Sequence, residues 1–471
     1  MRIFETIFAV VTVILMFGIL LPAGVRSSSR PFILLGFLGV IILVLHLTLE
    51  LYRWQMVPLY ILFAILLAIW LLPTGDRGWL GWVGVSLLTL LTIVFLAPPF
   101  LFPIRNFPEP TGSYAVGTLT EAWIDDSRKE IYGDNLEAAR EFVTQTWYPA
   151  DTVPATAERS EYIPTGRTAA RTIAARLGLP FFILDHVNLI KTNSFVEVPP
   201  AAGEFPILIF SHGYNSFRGQ STAIMEDLAS HGYIVISMSH PYGSAISIFP
   251  DGRIVFHNPD TLVGVGEELR QTGLLLGEQW TRDIEFTIDQ IERNQVATSH
   301  LLSQHYQLDQ LGVFGHSTGG GVALNICARD PRCKATFGFD AWLGPTPDDV
   351  ISKGSPAPTY FLMSEFWPKT INTNRIREYD KNSAVSTWAT VKNTGHYDFA
   401  DIPFLSPLTK RFGFSGGIDP YRGQEINRLF VRDFFDTHLK GKEPTAFMYS
   451  ADPSFPEIEL GVPDDVSAND A

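Results

Sequence analysis

The chain has 471 residues, which is too long for one small domain and predicts at least two structural units. Hydrophobic residues make up 46% of it, charged residues 18%, and the mean hydropathy is +0.13, which excludes an intrinsically disordered chain. With 49 acidic and 35 basic residues, its formal net charge of −14 argues against a nucleic-acid partner, because a phosphate backbone requires a basic face.

The N-terminal region is the most apolar part of the chain. Four stretches there contain no Asp, Glu, Lys or Arg: Thr6–Val25, Pro31–Leu49, Trp54–Gly75 and Gly78–Ile104. Each is long enough for a helix that crosses the hydrocarbon core of a bilayer, which takes about 20 residues. A cleaved signal peptide would explain only the first stretch, because three more follow directly. The sequence therefore predicts an integral membrane anchor of four spans over residues 1–105.

Four spans return the chain to its starting side of the membrane, so the N-terminus and the large C-terminal part share a compartment. The arginines near the spans divide three against three between the two sides: Arg2, Arg53 and Arg105 against Arg26, Arg30 and Arg77. The first span often dominates orientation, and Arg26 with Arg30 outweighs Arg2 beside Glu5. This favours an extracytoplasmic C-terminal part.

From Pro108 onward short β-rich runs replace the membrane pattern. Thr120–Asp125 and Arg140–Tyr148 predict an antiparallel pair that opens a sheet. In residues 151–195 we expect a helix at Thr168–Leu177 and an apolar run at Pro180–Leu184, which together suggest a lid or a substrate-facing flank.

After Pro206 strands and helices alternate regularly. The predicted strands are Ile207–Phe210, Tyr233–Ser237, Leu311–Phe314, Ala335–Phe339, Thr359–Met363 and Trp388–Val391. The predicted helices are Gln220–Ser230, Glu267–Asn294, Thr318–Arg329 and Gly423–Leu439. The strand runs are apolar throughout, as in a parallel sheet that helices cover on both faces. The predicted fold class is α/β, with a doubly wound, mostly parallel sheet.

The sharpest chemical signal is Gly315-His316-Ser317-Thr318-Gly319, a G-x-S-x-G pattern between a predicted strand and a predicted helix. This context indicates the nucleophile elbow of an α/β-hydrolase, in which the serine lies on a tight strand-to-helix turn. A glycine-rich turn with an incidental serine is the plainer alternative. The sequence favours Ser317 as a nucleophile.

A serine nucleophile needs a base, and the base needs an orienting acid; in this fold they follow the serine in the order acid, then histidine. Of the two later histidines, His396 lies in a loop just past a predicted strand, whereas His438 lies within the last predicted helix. We therefore predict His396 as the base. Asp340 and Glu365 each end a predicted strand, and position alone does not choose between them.

The oxyanion of an acyl-transfer intermediate needs backbone N–H donors. One is expected from Thr318, directly after the nucleophile, and the other from Tyr214 in the Ser211-His212-Gly213-Tyr214 loop. His212 is interpreted as a loop-stabilising residue, and His240 as a loop position without chemistry. No histidine pair has the spacing of metal ligands, so neither a metal nor another cofactor is predicted.

Residues Pro206–Ala245 and several shorter segments resemble the platelet-activating-factor acetylhydrolase family of the serine-dependent lipoprotein and intracellular type. The shorter segments are Pro110–Gly117, Trp147–Pro149, Gly315–Gly321, Phe339–Trp342 and His396–Asp401. They occur in the family's order and cover most of residues 108–440. The resemblance implies that Asp340 is the acid, and it supports Tyr214 and Thr318 as oxyanion donors. Four membrane spans are not a usual feature of this family, and residues 151–195 match it weakly.

These inferences divide the chain into four expected parts. They are a membrane anchor (1–105), N-terminal strands with a lid-like segment (106–195), a catalytic core (196–450) and an acidic tail (451–471). Cys327 and Cys333 would pair in an oxidising compartment, and two buried thiols are an equal alternative.

The resemblance implies hydrolysis of a short or oxidised sn-2 acyl chain from a phospholipid, as by a 1-alkyl-2-acetylglycerophosphocholine esterase. The expected partners are thus a lipid or small ester substrate and the membrane. The alternatives are a general carboxylesterase, a polyester or dienelactone-type hydrolase, or a non-catalytic membrane receptor or scaffold with a hydrolase-like domain.

Overall fold

The computed structural model describes residues 2–21, 30–71, 79–164, 166–176, 180–367 and 371–461. The chain forms two compact units. The first contains Met1–Asn106, Gly166–Ile190 and Leu405–Leu408, and the second contains Phe107–Thr165, Lys191–Phe404 and Thr409–Ala471.

Among the described residues, the first unit contains four helices that are long and apolar enough to cross a membrane. They are α1 (Ile3–Leu20), α2 (Arg30–Leu45, extended by a π-helical turn at His46–Glu50), α3 (Val57–Leu71, after a 3₁₀ turn at Trp54–Met56) and α4 (Trp79–Leu101). These helices agree with the predicted spans, although the predicted boundaries Val25, Gly75 and Gly78 lie outside the described residues. The first helix begins three residues before the predicted start at Thr6 and so includes Glu5.

Glu5 belongs to a buried ion pair that the sequence pattern did not reveal. Arg53 donates from Nε and Nη2 to the two carboxylate oxygens of Glu5, each at 2.7 Å, and both side chains are fully buried. Arg2 donates to the same carboxylate at 2.7 Å. The pair lies at helix ends, where two opposite charges compensate each other's loss of water.

The segment expected to form a lid belongs to this first unit. It contains helix α5 (Gly166–Arg176) and a 3₁₀ turn at Asp185–Leu189. The indole N–H of Trp54 donates to the carbonyl of Ile183 at 3.1 Å, and Phe182 packs edge-on against the same indole. The apolar run at 180–184 is therefore used for packing beside the start of α3.

The second unit is built on a sheet of eleven strands among the described residues. The strands are β1 (Ala115–Lys129), β2 (Ala139–Ala150), β3 (Arg159–Glu161), β4 (Lys191–Val196), β5 (Phe205–Ser211), β6 (Ile234–Ser239), β9 (Tyr306–His316), β10 (Cys333–Phe339), β11 (Thr359–Ser364), β12 (Ser386–Val391) and β13 (Ile458–Leu460). Their order in the sheet is β13-β12-β11-β10-β9-β5-β6-β2-β1-β4-β3. A separate hairpin pairs β7 (Ile246–Ile248) with β8 (Ile254–Phe256). The run from β6 through β5, β9, β10 and β11 to β12 is parallel.

The helices of the second unit alternate with these strands. They are α6 (Thr222–Ser230), α7 (Glu267–Val296), α8 (Thr318–Arg329), α9 (Asp348–Lys353), α10 (Ile371–Asn382) and α12 (Pro420–Lys440); a short helix, α11 (Ile402–Leu405), precedes α12. Apolar clusters lie on both faces of the sheet, one including Phe430 and Phe434 of α12 and another including Trp280 and Ile284 of α7. The doubly wound α/β prediction is confirmed.

Part of the expected acidic tail is ordered against the sheet. β13 pairs antiparallel with β12, and Ile458 and Leu460 pack against the core. Arg422 of α12 holds Glu457 through two hydrogen bonds of 3.0 Å. Apolar side chains at alternate positions thus convert residues 458–460 into an edge strand, and residues 462–471 lie outside the described residues.

Candidate active site

Ser317 lies on a strained turn between β9 and α8. Its backbone has φ 56° and ψ −120°, an unfavourable region for a residue other than glycine. The Ser317 N–H donates to the carbonyl of Phe339 at 2.9 Å, which ties the turn to β10. A Cβ added to Gly319 would overlap the carbonyl oxygen of Ser211, so only glycine permits this approach of α8 to β5. These features match the predicted nucleophile elbow.

His396 and Asp340 are brought together across 56 positions of sequence. The Nδ1 of His396 lies 2.9 Å from Oδ2 of Asp340. Asp340 directly follows β10 and is fully buried, and Ser364 donates to it from its backbone N–H and from its hydroxyl, both at 2.6 Å. The carboxylate is thus fixed on three sides, with His396 on one of them.

The imidazole of His396 lies between two other rings. The ring of Trp367 stacks on it with centroids 3.6 Å apart, and the ring of His316 lies 4.4 Å away. His316 Nε2 donates to the carbonyl oxygen of His396 at 2.9 Å. This contact fixes the loop that carries His396, residues 392–396 (the histidine loop), beside the elbow. Within the described part of the chain, Ser317 Oγ and His396 Nε2 make no hydrogen bond. Such contacts are often long without substrate and tighten in the complex.

The alternative acid and base lie elsewhere. Glu365 accepts a hydrogen bond from the backbone N–H of Asn393 at 2.6 Å. Asp398 accepts from the backbone N–H groups of Gly395 and Gly416, so it shapes the histidine loop. His438 packs against Phe434 in α12. The acid that contacts His396 is Asp340.

The backbone N–H groups of Tyr214 and Thr318, the predicted oxyanion donors, have no acceptor among the described residues. Thr318 is the first residue of α8, where a helix leaves its N–H groups unpaired. Gly213 approaches the elbow so closely that a Cβ added to it would lie 3.4 Å from Cβ of Ser317. Gln220 accepts the Gly213 N–H at 3.0 Å and thereby holds this loop.

Burial controls the protonation of the pair. It lowers the pKa of His396 below the ordinary imidazole value, because the imidazolium loses the water that would stabilise it. Burial raises the pKa of Asp340, and the hydrogen bonds from Ser364 act in the opposite direction. A neutral imidazole is the form that a general base requires.

Among the residues that the structure describes, one group of side chains has the arrangement of metal ligands, and it lies in the first unit. Ligand atoms of Glu5, His46 and Glu50 all lie within 4.8 Å of one another. The Glu5 carboxylate already pairs with Arg53, and Glu50 accepts hydrogen bonds from the backbone N–H groups of α1. These contacts already occupy the carboxylate oxygens that a metal ion would need.

Sequence reasoning missed Ser364, Trp367 and His240. Ser364 is the last residue of β11, directly before Glu365, and a serine at a strand end matches no motif. Trp367 lies 29 positions before His396, on whose ring it stacks, and belongs to no recognisable sequence motif. His240 follows β6 and contacts a residue of a distant helix, which spacing does not reveal.

The chain matches known proteins over this region. The profile of the family described as platelet-activating factor acetylhydrolase, isoform II, matches residues 102–251 and 288–446. The bovine platelet-activating factor acetylhydrolase is 26% identical over 273 residues, covering 50% of this chain and 57% of that protein. The dog protein of the same name is 28% identical over 282 residues, covering 53% and 61%.

A fungal relative and a solved structure extend the comparison. A probable 1-alkyl-2-acetylglycerophosphocholine esterase of Arthroderma benhamiae is 24% identical over 275 residues, covering 54% of this chain and 65% of that protein. The chain thus spans 57% to 65% of the length of these three relatives. The solved ferulic acid esterase of Streptomyces cinnamoneus superposes with a TM-score of 0.64 at 23% identity, over 76% of this chain and 99% of that one. That likeness establishes the α/β-hydrolase fold.

Proposed function

The chain belongs to the family described as platelet-activating factor acetylhydrolase, isoform II, and from that premise we propose that it is a membrane-anchored serine ester hydrolase. The observation that carries the proposal is the 2.9 Å contact between His396 and Asp340, next to a serine on a strained elbow. Nucleophile, base and acid are the three roles that serine acyl transfer requires.

In the first half of the reaction, Ser317 Oγ attacks the carbonyl carbon of the ester while His396 Nε2 takes the hydroxyl proton. Asp340 accepts a hydrogen bond from Nδ1–H, which keeps the ring in the right tautomer and stabilises the imidazolium. The negative charge on the carbonyl oxygen is met by the N–H groups of Tyr214 and Thr318. His396 then donates its proton to the leaving alcohol, and an acyl-serine remains.

The second half repeats these steps with water. His396 removes a proton from a water molecule that attacks the acyl carbon, and the same N–H groups hold the second oxyanion. When the intermediate collapses, Ser317 Oγ leaves and recovers its proton from His396. The products are a carboxylic acid, an alcohol and the free enzyme.

The proposed substrate is a phospholipid with a short or oxidised sn-2 acyl chain, which the names of the relatives support. The purified chain in detergent would be assayed with sn-2-acetyl, sn-2-glutaroyl and sn-2-palmitoyl phosphatidylcholine and with an aryl acetate. We expect the two short-chain phospholipids to be hydrolysed at least about 10-fold faster, as kcat/KM, than the palmitoyl one, since pocket size discriminates through several methylenes. Equal rates on both chain lengths, or turnover of the aryl ester alone, would favour a general carboxylesterase.

The pH dependence of the reaction should reflect the buried base. Because burial lowers the pKa of His396, the imidazole stays neutral and active as the pH falls through 6.5, the ordinary histidine value. We expect the acidic limb of kcat/KM to have its midpoint below pH 6.5. Unfolding measured over the same pH range would separate titration from denaturation, and a midpoint at or above pH 7 would contradict the assigned environment.

The four apolar helices support integral attachment to a membrane, and Cys327 and Cys333 support an extracytoplasmic catalytic unit. The two cysteines are joined by a disulfide bond, which persists mainly in oxidising compartments. An epitope tag at the C-terminus should therefore be digested by protease added to intact cells. Complete protection of the tag would put the catalytic unit on the cytoplasmic side.

A further inference from the structure

The core of the second unit contains another Ser–His–Asp constellation. His240 Nδ1 lies 2.9 Å from Oδ2 of Asp283, and His240 Nε2 lies 3.1 Å from the hydroxyl of Ser211. All three residues are fully buried. Ser211 ends β5, His240 follows β6, and Asp283 lies in the middle of α7.

The charges around Asp283 determine the direction of these hydrogen bonds. Burial acts to raise the pKa of Asp283, but Arg140 and His240 outweigh it and hold the pKa well below the usual range. The ionised carboxylate only accepts hydrogen bonds, so the proton of His240 lies on Nδ1. Nε2 is then an acceptor, and the Ser211 hydroxyl donates to it. Burial lowers the pKa of His240, which keeps the ring neutral.

The ring of His240 is held on its face as well as at its edge. It stacks on Trp280 with centroids 4.2 Å apart and planes 9° apart. Arg140 donates to both oxygens of Asp283, at 3.1 and 2.7 Å. The constellation is therefore a rigid element that connects α7 to the end of β5.

The segment His240–Ala245 is hydrogen-bonded at several points to the oxyanion loop, which we define as Ser211–Ser216. The His240 N–H donates to His212 Nε2 at 3.3 Å, and the Asn215 N–H donates to the carbonyl of Gly243 at 2.9 Å. The Ala245 N–H donates to the carbonyl of Ser216. Tyr214, whose N–H has no acceptor among the described residues, lies between His212 and Asn215, which make these hydrogen bonds.

We propose that Asp283, His240 and Ser211 are positioning residues for the oxyanion loop and fix the direction of the Tyr214 N–H. This proposal rests on the proposed ester hydrolysis and adds residues that act through Tyr214. Because the Ser211 hydroxyl is fully buried, the constellation holds a donor in place and does not attack substrate. Displacing a catalytic group by about 1 Å costs up to roughly 100-fold in rate, so a small relaxation of the loop is measurable.

The test removes only the Ser211 hydroxyl. Ser211→Ala is expected to lower kcat about 10-fold with KM within twofold of the unaltered protein. It should also weaken a trifluoromethyl ketone inhibitor by the same factor as kcat/KM, because the adduct's oxygen occupies the oxyanion site. The matched control is Ser239→Ala, at the end of the adjacent strand β6, whose buried hydroxyl has no partner among the described residues. This control should change neither quantity more than twofold.

A second variant separates positioning from general stability. His240→Asn keeps an amide that can donate to Asp283 and loses the contact with Ser211, so it should reproduce the kinetic loss of Ser211→Ala. The double variant should lose no more than either single one, since both break the same link. A fall in melting temperature without a loss of kcat, additive losses, or a Ser211→Ala variant that behaves like Ser239→Ala would overturn the proposal.

The same experiments distinguish a failure of the positioning role from a failure of the proposed ester hydrolysis. If a fluorophosphonate labels Ser211, this serine is a second nucleophile and the positioning role is wrong. If the unaltered protein neither hydrolyses esters nor binds the ketone, the proposed function itself fails. An active protein with an indifferent Ser211→Ala variant refutes only the positioning role.

Discussion

Replacing Ser317 with alanine is expected to lower kcat for short-chain ester hydrolysis by about 10⁶-fold, because the attacking oxygen is removed. The melting temperature should hardly change, since Ser317 Oγ makes no hydrogen bond to any described residue and its removal leaves no partner unsatisfied. Steady-state kinetics and thermal unfolding in detergent would measure both quantities.

The control for this prediction is Ser247→Ala in β7. Its hydroxyl is buried and has no partner among the residues described, so Ser247→Ala removes the same group from the separate β7–β8 hairpin. Ser247→Ala should keep full activity. Substantial turnover by Ser317→Ala, above that of the detergent blank, would mean that another group attacks the ester.

Asp340→Asn is expected to lower kcat by about 10⁴-fold. An amide in place of the carboxylate can present its N–H₂ group to His396, which favours the wrong imidazole tautomer and leaves the imidazolium without a counter-charge. Glu365→Gln is the matched control, because Glu365 follows the next strand and contacts the N–H of Asn393. We expect Glu365→Gln to stay within about threefold of the unaltered kcat, as its contact is a single neutral donor.

The opposite result for the two variants would assign the role of orienting acid to Glu365. If Glu365→Gln lost activity while Asp340→Asn retained it, the histidine loop would have to rearrange so that His396 meets Glu365 in the working enzyme. Equal small losses of kcat in both variants would mean that neither Asp340 nor Glu365 acts as the orienting acid.

Long apolar runs made the fold predictable. Each parallel strand contains a short, mostly apolar run between helical patterns, and the structure places a strand or helix at each predicted one. The strands β3, β7 and β13 were not predicted, because at three residues each they are too short for a periodic pattern. The longer strand β4 and the helix α10 were not predicted either. Tertiary contacts, including the packing of Ile458 and Leu460 on the core, make a strand of β13.

The site was predictable where chain order constrains it. The elbow pattern and the scarcity of later histidines single out Ser317 and His396. The choice between Asp340 and Glu365 depends on which carboxylate meets Nδ1, a distance that spacing does not encode. The Ser211–His240–Asp283 constellation was not predictable, because its members lie on three elements and match no motif.

The most direct test of the account is the mass of the covalent adduct formed with a fluorophosphonate, with the modified residue located by peptide mapping. We expect a single phosphonylated residue, Ser317, in the folded protein, and a labelling rate that falls sharply in His396→Ala. A folded protein that gains no adduct, or one modified at a different residue, would contradict it.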